Sequence, residues 1–584
     1  MKSRTTLFLL LASLLSFGSN GPKTSPDLDA ADADANIDVI VQFKTAPAAG
    51  DTGRVISRHH ASLHARLDAI KGAAFTMTAG EARRLAAEAN VAHVSVDHVM
   101  TAKLANAAAA VNAPYAWSGG YDGSGIGIAI IDSGINTSTA DLNPTGLVST
   151  LLSQRVVYSQ TWIPPACLLL CTSTTDDEYG HGSHIAGIIA SSATNSTGKP
   201  YFTSFRGIAN NANLINLKVL NASGMGRESD VVSAIQKAIS LKSQYNIRVI
   251  NLSLGRPVFE SYKVDPLCQA VESAYKAGIV VVVAAGNDGR NNTFGTSGYG
   301  TINSPGNDPY VITVGAMKTM NTPDRGDDLI ASYSSKGPSQ IDHIVKPDLV
   351  APGNQIVSVN LSSGYLYNNF SSTHVPYSSY QIKGSGSSST DYYRLSGTSM
   401  AAGVVSGAAA VIIQKSPKIT PDQLKARLMK TAYKTFPQYS SVTENGVTYT
   451  SQYDVFTVGA GYLDIQAAML NTELVTAPAT SPTATYDEST HSVYFVKDTS
   501  AAWGSSAAWG SGTVWGSNQF VGTQSAAWGS SAAWGSSAAW GSTDPYTSTS
   551  AAWGSSAVWG SGSVWTSSST GSAESLSIAT MGEK

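Results

Sequence analysis

The sequence predicts an α/β fold: a mostly parallel sheet with helices on both faces, preceded by a small α+β domain and followed by a low-complexity, tryptophan-rich tail. Three observations carry that reading. Near-continuous apolar runs at 125–132, 214–221, 247–255 and 278–286 have the composition of strands buried on both faces. Helical stretches at 229–244 and 268–278 alternate with them, as crossovers between parallel strands require. After about residue 471 the composition shifts, and from 499 to 573 the chain is dominated by Ala, Gly, Ser and Trp, with Asp544 its only charge.

Taken in order, the chain opens with the basic head Met1-Lys2-Ser3-Arg4 and the apolar run 7–17, so 1–18 is expected to be a secretory signal peptide. That run is too short to span a bilayer. Residues 19–35, rich in Pro, Asp and Ala, read as a linker. The next domain, 36–103, shows a strand at 38–43, a helix at 57–70, a strand at 75–79, a helix at 79–89 and a strand at 92–100. This β-α-β-α-β order suits a small open sheet with two helices on one face. Residues 104–470 form the main α/β domain, 471–500 a second linker, 501–575 a repeat array and 576–584 a tail.

Composition narrows the function. Charged residues are 13% of the chain and the formal net charge is −3, which gives no electrostatic case for nucleic acid or an anionic membrane. Three cysteines cannot form a disulfide framework. Cys167 and Cys171 are close enough in sequence to pair locally, and Cys268 reads as a buried core thiol.

Chemistry is concentrated in four short motifs of the main domain. AIIDSGI places Asp132 at the carboxyl end of a strand, where open α/β sheets put their sites. GHGSHIAG sets His181 at a helix start, GTSMAAG opens an apolar helix on Ser399, and AAGND carries Asn287 just past a buried strand. Each alone has a plainer reading: a turn-forming Asp, a structural His, a loop serine. Together, in the order Asp, His, Ser, they are the parts of a nucleophile, a base and a group that orients the base. A serine at a helix N-terminus also faces free backbone N–H groups that suit an anionic intermediate, with the Asn287 amide as a second donor.

With its neighbouring stretches this set resembles the subtilisin-like serine proteases, the subtilase family, over residues 113–464. APYAW (113–117), RGIANNANLINLKVL (206–220), NLSLG (251–255), VVVAAGND (281–288), VITVGA (311–316), SSKGP (334–338) and KPDLVAPG (346–353) share in the likeness. The resemblance implies a serine endopeptidase in which Asp132 orients His181, His181 acts as general base and acid, Ser399 is the nucleophile and Asn287 holds the oxyanion. It implies that Ser253, Leu254, Gly255, Ala285, Gly286 and Asn303 line the pocket for the residue before the scissile bond. Gly224, within the edge 221–226, would lie along an extended substrate. His184 is expected to serve helix packing. The small 36–103 domain resembles the family's propeptide, which chaperones and then inhibits the enzyme, with self-cleavage around Ala102–Leu104. Polypeptides are then the substrates and the propeptide an intramolecular partner.

The sequence departs from the family where Ala402-Gly403-Val404 follow the nucleophile motif, and in insertions at 155–178 and 361–394. The second insertion approaches Ser399 in sequence, where it can shape a lid or subsite. No cofactor is required for catalysis on this reading. Structural calcium stays open: Asp141 resembles one calcium-ligand position, but with no matching partner loop it reads equally as a turn residue.

The array at 501–575 resolves into three units of 25 residues, with Trp503, Trp509, Trp515, then Trp528, Trp534, Trp540, then Trp553, Trp559, Trp565. A plain Gly/Ser linker has no use for so much aromatic surface. Stacked β-rungs and a ribbon docking on a cell wall or polysaccharide are the two readings. The expectation is a secreted, self-processing protease of broad, apolar-leaning specificity, associated with a surface through the repeats. The rival is a surface adhesion protein that its protease domain matures.

Overall fold

The computed structural model describes residues 23–67, 71–96, 103–143, 154–165, 173–292, 296–487, 492–495, 539–540, 551–552 and 576–583. The expected signal peptide, Ala102, Cys167, Cys171 and all but four residues of the repeat array lie outside the described residues. The chain divides into two compact units, Met1–Met100 and Thr101–Lys584.

In the first unit β1 (Asn36–Phe43), β2 (Ser62–Leu67), β3 (Gly72–Thr78) and β4 (Val91–Val96) form one antiparallel sheet in the order β2-β3-β1-β4. Three helices accompany it: α1 (Pro26–Ala30), α2 (Ala49–His59) and α3 (Ala79–Ala86). Val39, Val41 and Phe43 alternate inward along β1 and meet Val55 of α2 and Ala82 and Leu85 of α3. Both helices therefore cover one face. The order is β-α-β-β-α-β, one strand more than the sequence pattern predicts. The predicted helix at 57–70 is the point of difference. The helix starts earlier and stops at His59, because His60 takes a left-handed conformation (φ 50°). Residues 62–67 then pair with β3 as a sheet-edge strand whose residues are mostly exposed, so their polarity imitates a solvated helix face.

The second unit begins with α4 (Lys103–Ala110) and α5 (Ala113–Ser118) and is organised on one eight-stranded sheet. Its strands are β5 (Gly127–Asp132), β6 (Val156–Thr161), β7 (Asn213–Lys218), β8 (Ile247–Leu252), β9 (Val280–Ala284), β10 (Ile312–Lys318), β11 (Leu329–Ile330) and β12 (Leu349–Pro352). They lie in the order β11-β10-β9-β8-β5-β7-β6, with β12 also on β10, and only the β10–β11 pair is antiparallel. Every residue of β5 is buried. Ile128 and Ile130 point into one core and Ala129 and Ile131 into the other, as a strand covered on both faces must.

Helices α7 (Glu228–Tyr245) and α8 (Pro266–Lys276) pack on the second face. On the first lie α6 (His181–Ala190) and α10 (Thr398–Lys415). Between them in sequence, β13 (Ile356–Val359), α9 (Tyr365–Asn369), β14 (His374–Pro376) and β15 (Ser388–Leu395) build a side sheet in the order β13-β15-β14. The insertion at 361–394 is thus a folded aromatic layer: Phe205, Tyr380 and Tyr392 meet with ring centroids 4.5–5.4 Å apart. After α10 come α11 (Pro421–Thr431) and the hairpin of β16 (Tyr439–Glu444) and β17 (Val447–Gln452).

α10 has the length and apolarity to cross a membrane, with mean hydropathy 1.2, yet 83% of it is buried inside the fold. It is a core helix. Its small residues let neighbours approach: a Cβ on Gly403 would lie 3.3 Å from Ile188, and one on Gly407 only 2.7 Å from Ile208.

The chain runs from β5 through β6 and β7 on one side, then crosses to β8, β9 and β10 on the other. β5 is therefore a switch point, and the crevice beyond its carboxyl end is where this architecture seats a ligand. Asp132 is the last residue of β5.

Candidate active site

Asp132 and His181 meet because two glycines let their segments touch. A Cβ on Gly182 would lie 2.2 Å from the Gly134 carbonyl oxygen, so a side chain there would push the two loops apart. Gly134 itself sits at φ 113°, in the left-handed region. With both contacts made, His181 Nδ1 and Asp132 Oδ1 are 2.8 Å apart. Asp132 is buried and also accepts the Ser133 N–H at 2.7 Å. Burial of the His181 ring disfavours its cation, but the Asp132 charge and hydrogen bond outweigh this and hold its pKa above the ordinary histidine value.

His184, one turn further along α6, is a different histidine. It is fully buried, its Nε2 lies 3.0 Å from the Ile356 carbonyl, and its ring stands edge-on to Tyr393 at 5.1 Å. Burial, with His181 nearby, presses its pKa down to about 3, so it stays neutral.

Ser399 is the second residue of α10. Gly403 of α10 packs on Ile185 and Ile188 of α6. Gly403 and Ile185 each lie about one turn inside the helix from Ser399 and His181, so the two N-termini open into one crevice. The Ser399 hydroxyl donates to the Ser253 carbonyl at 3.2 Å, and the Ser253 hydroxyl donates back to the Ser399 carbonyl at 2.9 Å. Asn251 braces Ser253 through a 2.9 Å bond and is itself held by the buried Ser406 hydroxyl at 2.8 Å. Asn287 Oδ1 accepts the Thr398 N–H at 2.9 Å and the Thr398 hydroxyl at 3.1 Å. These two bonds fix the amide plane. They set its Nδ2 beside Gly397, where a Cβ would be 3.1 Å away.

The expected pocket residues fall into one wall. Asn303 lies between two glycines: a Cβ on Gly255 would be 3.3 Å from Asn303 Cβ, and one on Gly286 (φ 111°) 2.8 Å from its Nδ2. The Asn303 N–H donates to the Ala285 carbonyl at 3.0 Å, and its amide reaches Asp288 at 3.2 Å. Gly286 is tied to Thr398 by bonds of 3.2 Å in each direction. Ser253, Gly255, Ala285, Gly286 and Asn303 are thus gathered beside Ser399. Leu254 is half-buried and packs instead towards the core beneath α7 and α8.

Two residues beside His181 escape the motif reading. Asp177 is fully buried and caps α6 from outside: it accepts the Gly180 N–H at 2.7 Å, the Ser183 N–H at 2.7 Å and the Ser133 hydroxyl at 2.8 Å. Burial raises its pKa against those bonds. Its signal in the sequence is an Asp just ahead of a helix start. Tyr179 packs on Gly224, the glycine expected at the substrate edge: a Cβ there (φ 72°) would lie 2.7 Å from its ring. On its other side Tyr365 of the insertion stacks at 6.0 Å. Burial, then the Asp132 charge, raises the Tyr179 hydroxyl to about 12, so it is a neutral apolar platform at working pH. Tyr179→Ala is expected to raise KM for extended peptides about tenfold with kcat within about twofold, read by steady-state kinetics on substrates of increasing length.

Asp141 does not fit a calcium ligand. Its Oδ1 accepts the Asn195 N–H at 2.8 Å, and its Oδ2 accepts the Ser191 hydroxyl at 2.8 Å and the Tyr392 hydroxyl at 2.6 Å. Donors, not a second set of oxygen ligands, surround the carboxylate. Burial raises its pKa. Among the described residues no group of three His, Cys, Asp or Glu side chains is placed to hold a metal.

Comparison with known proteins identifies the family. The profile of the subtilase family matches residues 123–461. Serine protease AprX of Bacillus subtilis (strain 168) is 39% identical over 261 residues, 43% of this chain and 52% of that protein, so only about half of that relative's length is matched. Subtilisin E of the same strain is 31% identical over 435 residues, 74% of this chain and 89% of that protein. Subtilisin DY of Bacillus licheniformis is 33% identical over 349 residues, 60% of this chain and 92% of that protein. The chain belongs to the subtilase family of serine endopeptidases.

Proposed function

We propose that Asp132, His181 and Ser399 carry the reaction, on the strength of one observation above the others. The 2.8 Å Asp132–His181 pair opens into the crevice where Ser399 begins α10. In the free enzyme Ser399 Oγ rests on Ser253; substrate binding turns it to His181 Nε2, the tightening expected of a site not yet filled. His181 takes the hydroxyl proton as Oγ attacks the peptide carbonyl carbon. The carbonyl π pair moves to oxygen, and the oxyanion accepts hydrogen bonds from the Ser399 backbone N–H and Asn287 Nδ2. When the tetrahedral species collapses the C–N bond breaks, His181 gives its proton to the leaving amine, and an ester to Ser399 remains. Water then attacks the ester carbon while His181 takes its proton; the acyl C–O bond breaks, His181 returns the proton to Ser399 Oγ, and the carboxylic acid product leaves. Side chains supply every proton transfer, so this reading calls for no cofactor.

Asn287→Ala is expected to lower kcat about 10²–10³-fold with little change in KM, because the amide is used only once the oxyanion forms. Steady-state kinetics on a chromogenic peptide checks it; an unchanged kcat would remove Asn287 from the oxyanion site.

The pocket wall of Gly255, Ala285 and Gly286 around Asn303 supports a broad, apolar-leaning preference. The protein is read as a secreted zymogen. Residues 1–18 direct export, the 36–103 domain chaperones and inhibits, and the chain cuts itself around Ala102–Leu104. The nine tryptophans of 501–575 are read as a surface-binding array for cell wall or polysaccharide. N-terminal sequencing of the secreted protein tests the processing: a new terminus between 102 and 105 is expected, and a mature chain still beginning before residue 36 would sink it.

A further inference from the structure

Residues 576–583, on the far side of the tryptophan repeats, are built into the catalytic unit. Residues 576–581 are helical; Ile578 is buried in the main core and Leu576 packs against it. The Ser396 N–H, three residues before Ser399, donates to the Ala579 carbonyl at 2.9 Å. At Gly582 (φ 66°) the backbone comes so close that a Cβ would lie 2.4 Å from Ser396 Oγ and 2.7 Å from Gln355 Cγ.

The segment ends in a charge-matched socket. Asn354 reads the Glu583 backbone in both directions: its Oδ1 accepts the N–H at 2.8 Å and its Nδ2 donates to the carbonyl at 2.7 Å. The Glu583 side chain is 1% exposed and lies 3.0 Å from Arg290 and 2.5 Å from Lys318. It also accepts the Ser332 N–H at 2.7 Å. Arg290 is held from its other side by Glu444 at 2.8 Å and by the Tyr449 ring at 4.6 Å, so it is already aimed at the socket. Arg290 keeps Glu444 as a second carboxylate, but Glu583 is the carboxylate that pairs with the buried Lys318 among the described residues, and a buried cation that loses its partner is strongly disfavoured.

We propose that segment 576–583 is an intramolecular strap whose key is Glu583. The strap fastens the chain beyond the repeats to the catalytic unit and braces the turn that leads into Ser399. The proposal rests on the packing of 576–583 and is independent of which residue attacks the substrate.

The test uses the full chain carrying Ser399→Ala, to prevent self-cleavage, with a recognition site for a sequence-specific protease inserted between Ser572 and Ala573. After cutting, the strap fragment is expected to co-elute with the body on gel filtration. An excess of synthetic peptide 574–583 is expected to displace it, and the same peptide carrying Glu583→Ala to do so at least tenfold less well. In the uncut chain Glu583→Ala is expected to lower Tm by roughly 5 °C while leaving one cooperative transition. Loss of the fragment on cutting, or equal displacement by both peptides, overturns the proposal. The peptide arm needs no Glu583 variant of the body to fold.

Discussion

Ser399→Ala is expected to lower kcat by about 10⁶-fold, the largest effect of any single substitution in this chain and the scale of loss when an acyl-transfer triad loses its nucleophile. The residue removed makes one bond of consequence in the free enzyme, the 3.2 Å contact to the Ser253 carbonyl. Stability should therefore stay within about 0.5 kcal/mol of wild type, as for substitutions that open no cavity and strand no buried group. The oxyanion donors remain, so about 10³–10⁴-fold of catalysis over water should survive in the variant. The readout is hydrolysis of casein and of a chromogenic peptide by both proteins, with matched melting curves. The same variant, expressed from residue 1, should accumulate uncut at the 36–103 boundary. Equal hydrolysis by the two proteins would remove Ser399 from the mechanism, and normal processing of the variant would mean another protease does the cutting.

The sheet and the site were legible for different reasons. Strands β5, β7, β8 and β9 announce themselves because burial on both faces leaves near-continuous Ile, Val, Leu and Ala, a pattern that no surface element shares. Asp132, His181 and Ser399 were legible because each is embedded in glycines with a steric duty: Gly182 against the Gly134 carbonyl, Gly134 and Gly180 with positive φ, Gly397 against Asn287. The motif is a record of close approaches. What stayed hidden depends on contacts between distant segments. Tyr179 matters because Gly224 and Tyr365 flank it, and neither lies near it in sequence. The edge strand β2 was hidden for a simpler reason: its residues face water, so nothing in their polarity separates a strand from a helix. Glu583, in the segment read from sequence as a tail, gives no local sign of the buried cations it meets.

The second large effect concerns the partner of the base. Asp132→Asn is expected to lower kcat by about 10⁴-fold at neutral pH with the fold intact, since the amide offers His181 the wrong pattern of donor and acceptor and lets the ring settle in the wrong tautomer. The pH dependence gives this assignment a signature that mere loss of structure would not. In the wild type Asp132 raises the pKa of His181 against the opposing pull of burial. Activity should therefore fall as pH drops through a value above the ordinary histidine pKa of about 6.5. In the Asn variant burial is opposed only by the weaker pull of the Asp177 charge, so the residual activity should hold to lower pH and its acid limb should move down. Stability must move in the linked sense. A histidine whose pKa is raised on folding adds stability that is fully present below its unfolded pKa and lost as pH rises through the folded one. The gap in Tm between wild type and Asp132→Asn should accordingly be wider at about pH 5.5 than at about pH 9. An acid limb that stays in place, or a Tm gap of equal size at both pH values, would mean that Asp132 holds the loop and does not tune the base.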